Sequence, residues 1–163
     1  MNFVNSPEHW HIILNHIPIL GLGFSLFPLI WSLIKKDYLS LRWGLFLVLI
    51  STLLTPVIVE TGESAEDRLP NTPGVLWDHT AKEQFEIHEK RAEISAYFFY
   101  TVFALALVTW FVSASKKKFT FLFASVTACF VSISLILAIW TADAGGKIRH
   151  PEFRPTTVNL SPL

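Results

Sequence analysis

Apolar residues along this chain run in long unbroken stretches, and the charged residues are confined to the gaps between them. Four stretches are nearly free of charge: about 10–34, 41–59, 94–112 and 119–142. Each approaches or exceeds the roughly 20 residues a helix needs to cross a bilayer. They are too long, and alternate too little, to be strands. The pattern predicts an all-α integral membrane protein, a single transmembrane domain over 1–163 folded as an up-down four-helix bundle.

The flanking residues place the helix ends. Ser6-Pro7-Glu8 reads as a helix start, with Ser at the N-cap, Pro at the first helical position and an acid in the first turn. Residues 78–91 hold good helix formers without Pro or Gly, so the third helix is expected to begin near Asp78, ahead of its apolar part. The predicted helices are about 7–35, 41–60, 78–114 and 119–143. An outer loop covers about 61–77, broken by Gly62, Pro70, Asn71 and Pro73, and an extended tail covers about 147–163. No internal repeat is apparent; the start of helix three mirrors that of helix one only faintly.

Charge sets the orientation. Lys35, Lys36 and Arg42 lie in one short loop and Lys116, Lys117 and Lys118 in the other. Basic residues near helix ends mark the cytoplasmic side. Both termini and the long loop are therefore expected outside. The formal net charge of zero, without a basic patch interleaved with aromatics, gives no support to nucleic-acid binding. The single cysteine, Cys129, sits in an apolar stretch and reads as a small buried side chain.

All six histidines, His9, His11, His16, His79, His88 and His150, fall on the expected outer half. An ionisable residue at membrane depth, such as His16, is a functional candidate by default. On a straight helix His9, His16 and Gly23 share a face, and His11 points elsewhere. On helix three His88 shares a face with Gln84, Arg91, Ala92 and Ser95. Counting rises from the lysine-bearing ends sets His9 level with His88, and His16 level with Glu60. Two facing histidines suit axial ligation of a haem iron. The candidate cofactor-binding residues are His16, His88, His9, Gly23 and Arg91. The same imidazoles with Glu60 or Glu63 suit a Zn, Cu or non-haem Fe ion, which makes His16, His88, His9, Glu60 and Glu63 the candidate metal ligands. No catalytic residue stands out: Glu-x-x-His, His-Glu-x-x-His and Ser-His-Asp signatures are not visible.

Several short motifs together resemble an uncharacterised family of small bacterial four-helix membrane proteins. His16-Ile17-Pro18-Ile19 is similar to the family's V-H-F-P-I opening, Thr61-Gly62 to its T-G step, and His88 to its histidine before helix three. Ala144-Gly145-Gly146-Lys147-Ile148 with His150 resembles its G-G-x-L-V-Y-x-H-G close, although Arg149 replaces the tyrosine and Pro151-Glu152 the final glycine. The resemblance implies the His16–His88 pair, with His150 third, where the height count favours His9. Some relatives are joined to Rieske-type iron–sulfur domains, which implies redox work near the outer face.

The expectation is a membrane redox subunit, more an electron-transfer subunit than a stand-alone enzyme. It holds a haem b near the outer face and passes electrons between quinol or a membrane partner and a periplasmic redox protein. The alternatives are a His/Glu metal-binding protein and a cofactor-free structural or assembly subunit.

Overall fold

A computed structural model describes residues 6–66, 68–72, 75–115 and 118–154. Among them the regular structure is helical throughout. The expected extended tail beyond 154, Asp67, Pro73, Lys116 and Lys117 lie outside the described residues. Helices α1 (Pro7–Leu14) and α2 (His16–Lys35) form the first span, and α3 (Tyr38–Leu53) and α4 (Thr55–Glu66) the second. Helices α5 (His79–Ala114) and α6 (Thr120–Arg149) form the third and fourth. All four are long and apolar enough to cross a membrane, which makes the chain a multi-pass membrane protein.

Local chemistry sets these boundaries. Asp37 caps α3, its carboxylate accepting from the N–H groups of Leu39 and Ser40, so the second span begins three residues before the apolar run. Asp78 caps α5 through the N–H of Ala81. Lys36 closes α2 in the left-handed conformation, with φ of 54°. The first two spans are each interrupted once. Pro18 has no N–H for the Leu14 carbonyl, and the helix is broken at Asn15. Pro56 likewise leaves the Thr52 carbonyl without its helical partner, and the Thr55 hydroxyl donates to it at 2.7 Å.

Two spans run further than expected. Helix α4 continues through Gly62 to Glu66, and α6 continues through Gly145-Gly146 to Arg149. A glycine inside a helix costs about 1 kcal/mol relative to alanine, so residues 61–66 were an expected loop. Close contacts are made at two of those glycines, Gly62 and Gly145.

Consecutive spans pack side by side, and the fourth returns to the first. The first and third spans are thus diagonal, as are the second and fourth. The interior is small and partly polar: Leu22, Leu29, Val48, Val102, Ala106 and Val131 share it with Ser25, Ser32, Thr109, Thr127 and Ser134. Large apolar residues such as Phe24, Phe27 and Phe111 point outward, as they do when lipid is the solvent. Cys129 is also exposed on that surface, not buried as expected.

The buried positions reveal a tandem repeat that the letters conceal. Pro18, Leu22, Ser25, Leu29 and Ser32 are buried on α2; 77 residues later Ser95, Phe99, Val102, Ala106 and Thr109 are buried on α5. Leu41, Gly44, Leu45, Val48, Ser51, Thr55 and Ala65 are buried on the second span; 83 residues later Ala124, Thr127, Ala128, Val131, Ser134, Ala138 and Ile148 are buried on α6. The bundle is two copies of one helical hairpin, and the ring order is the one a two-fold axis along the bundle produces.

Candidate functional site

The repeat extends to the histidine-bearing end. His11 on α1 rests against Gly62 on α4, and its Nδ1 lies 3.0 Å from the Ile58 carbonyl oxygen. His88 on α5 rests against Gly145 on α6, and its Nδ1 lies 3.0 Å from the Thr141 carbonyl oxygen. A Cβ on Gly62 would stand 3.0 Å from His11 Cε1, and one on Gly145 would stand 3.0 Å from His88 Cε1. Each histidine therefore occupies the room of a missing side chain on the neighbouring helix. The offsets are again 77 for the histidines and 83 for the glycines and carbonyls.

A carbonyl oxygen only accepts, so Nδ1 is the proton-bearing nitrogen in both rings. In the neutral ring Nε2 then carries the free lone pair, and among the described residues neither Nε2 has a hydrogen-bond partner. Metal-ligating histidines are oriented in this way, with the distal nitrogen held by a backbone carbonyl. The supports are themselves fixed. The Thr61 hydroxyl also donates to the Ile58 carbonyl, and Ser95 and Thr141 share a hydrogen bond of 2.8 Å.

The two rings come from diagonal spans and meet across the bundle, with centroids 6.2 Å apart and planes at 88°. Nitrogen–metal bonds of about 2.0–2.1 Å would set two imidazoles on opposite sides of one ion with their centroids about 6 Å apart. Buried polar atoms without partners lie alongside. Glu8 Oε2 and Asn15 Oδ1 belong to the His11 face of the first span, and Arg91 Nε stands one turn from His88. Such atoms call for a ligand or water. Arg91 is otherwise held by the Trp140 carbonyl at 2.8 Å, by the Trp140 ring at 4.3 Å and by Asp143 at 3.6 Å.

The structure sets Arg91 one turn from His88, and the ring beside His88 is that of His11, not of His9 or His16. His9 is exposed, and His16 is exposed with its Nδ1 2.6 Å from the Ile12 carbonyl of its own helix. The physical reason is the choice of face: at intervals of seven, His11 is in register with the buried Pro18, Ser25 and Ser32, as His88 is with Ser95, Val102 and Thr109, whereas His9 and His16 lie on the exposed side. Nothing lies within 4 Å of where a Cβ on Gly23 would stand, so that glycine makes no close approach. Glu60 and Glu63 are exposed on α4, and His150 pairs with Glu152 at 2.9 Å. The signal that marked His11 was present in the sequence as its seven-residue register with Pro18, Ser25 and Ser32, matched by that of His88 with Ser95, Val102 and Thr109. Among the described residues no group of three or more His, Cys, Asp or Glu side chains is placed to hold a metal ion.

Comparison with family models, with curated proteins and with solved structures finds no match.

Proposed function

We propose that this protein is a membrane electron carrier that holds a haem b through His11 and His88. One observation carries the reading: two carbonyl-oriented imidazoles from diagonal helices, with centroids 6.2 Å apart. The donor set favours haem over a lone ion. A porphyrin supplies four of the iron's ligands and asks the protein for two. A Zn site asks for three or four protein ligands, and the described residues offer no third beside the pair. Haem supplies one-electron chemistry at the iron. The chain's own residues do the rest. Ile58 and Thr141 fix the tautomers, Gly62 and Gly145 admit the rings, and Arg91 offers a donor to an anionic ligand group.

The lysines gathered at the opposite end support assigning this end to the outer face of a bacterial inner membrane. A periplasmic redox protein is then the natural partner, with quinol or a membrane protein on the other side of the exchange. The resemblance to a family with Rieske-joined relatives agrees with this direction.

The test is the absorption spectrum of detergent-purified protein from haem-supplemented cells, air-oxidised and then dithionite-reduced, with metal analysis of the same sample. A Soret band that shifts on reduction, with resolved α and β bands, supports the reading. A colourless sample with stoichiometric metal would replace haem by an ion. A colourless, metal-free sample would leave a structural subunit.

A further inference from the structure

The opposite, lysine-bearing end carries a feature present in one hairpin only, and it owes nothing to the cofactor. An open groove of about 280 Å³ is lined by Phe27, Pro28, Trp31 and Ser40. Phe27 is 75% exposed and Trp31 46%. The two rings stack with centroids 6.4 Å apart and planes at 18°, forming one continuous apolar wall. Lys35, one turn further along α2, holds its ammonium 5.5 Å above the Trp31 ring, at the rim.

The repeat shows that this arrangement is not forced by the fold. The equivalent positions in the second hairpin are Ala104, Leu105, Val108 and Phe123. There the aromatic wall is missing, a phenylalanine stands in place of Ser40, and Val112 stands in place of Lys35. The cation beside this groove is Lys35; the ammonium of Lys36 lies over the Phe121 ring on α6 and the guanidinium of Arg42 over the Trp110 ring on α5. The nearby Asp37 carboxylate is engaged by the N–H groups of Leu39 and Ser40 and by the Ser40 hydroxyl.

We infer that this groove binds a phospholipid with an anionic headgroup. One acyl chain lies along Phe27, Pro28 and Trp31, and the phosphate meets the Lys35 ammonium where it leaves the Trp31 face. An apolar wall continuous with a cation at helix-end depth matches that molecule's order of parts, chain first and charge at the end.

Native mass spectrometry of the full chain, released from detergent with equal amounts of phosphatidylglycerol and phosphatidylcholine of the same chains, tests this. The first bound lipid should be phosphatidylglycerol by about fivefold, the effect of one basic residue near an anionic lipid surface. Lys35→Gln should remove that preference, and Lys118→Gln, at an exposed lysine on the other loop, should leave it. Equal binding of the two lipids would overturn the inference. So would a preference that survives Lys35→Gln, or one that falls equally with Lys118→Gln and so reflects the basic end as a whole.

Discussion

Two glycines decide where two imidazoles stand. Neither Gly62 nor Gly145 has a positive φ, so their value lies in the absence of a Cβ. A methyl group at either would sit 3.0 Å from a histidine Cε1, closer than ordinary van der Waals contact. A branched side chain would leave the ring no place. Gly62→Val or Gly145→Val should therefore break the Nδ1–carbonyl hydrogen bond of the facing histidine and weaken haem binding by at least about tenfold, or 1.4 kcal/mol. Gly146→Val is the control, because nothing lies within 4 Å of its missing Cβ. Haem titration of the three variants checks this, and equal affinity throughout would sink the role assigned to the glycines. A second residue-scale prediction concerns Asp37, at the lysine end. Hydrogen bonds from the Ser40 hydroxyl and from the N–H groups of Ser40 and Leu39 hold its carboxyl below the usual range. The stability this adds is fully present above the unfolded carboxyl value of about 3.9 and is lost as pH falls through the lower folded value. Asp37→Asn keeps an acceptor but no charge, and should flatten the acid limb of a plot of melting temperature against pH. An unchanged limb would show that the cap contributes nothing through its charge.

At the scale of elements, which face turns inward matters more than helix existence. The four spans were legible because long charge-free runs admit no other reading, and the Asp78 start of α5 because nothing interrupts 78–91. The histidine partner was not legible, because apolar residues line both the lipid side and the interior and do not show that the first span turns inward the face of His11, Pro18, Ser25 and Ser32 rather than that of His9, His16 and Gly23. Pro18→Ala gives the Leu14 carbonyl a backbone donor again. It should let α1 and α2 merge and hold or raise the melting temperature of the apo-protein while leaving haem affinity unchanged, because the uninterrupted α5 carries His88 at the same register. A large loss of haem affinity would show that the break at Asn15 does set the place of His11. Within the third and fourth spans, Thr109 and Thr127 share a fully buried hydrogen bond of 2.8 Å. Thr127 also donates to the Phe123 carbonyl, so losing its partner does not orphan it. Thr109→Val should thus cost only about 0.6 kcal/mol, the usual scale for interhelical hydrogen bonds in membranes. Reversible denaturant unfolding in mixed micelles measures it, and a loss several times larger would mean that the pair anchors more of the interior.

The whole molecule is a hairpin used twice. Its repeat is hidden in the letters because lipid outside and protein inside are both satisfied by apolar residues, so hydrophobicity does not mark the buried face. Leu22 and Phe99, or Gly44 and Thr127, stand at equivalent places without resembling each other. The expected bundle was read correctly without the repeat; what the repeat adds is why each hairpin brings one histidine, one carbonyl and one glycine to the shared axis. Departures from the repeat point to separate tasks. Arg91 stands one turn from His88 where Leu14 is its equivalent in the first hairpin, and Phe27, Trp31 and Lys35 have Ala104, Val108 and Val112 as theirs.

The central claim is that His11 and His88 bind one iron together. Electron paramagnetic resonance of the oxidised, haem-loaded protein tests it most directly, on the full chain and on His11→Gly, His88→Gly, His16→Gly and His9→Gly. The account predicts a low-spin ferric signal in the full chain and in the last two variants. His11→Gly and His88→Gly should each turn high-spin or lose haem, and free imidazole should restore the low-spin signal where haem is retained. A low-spin signal that persists without His11, and disappears without His16 or His9, would contradict it.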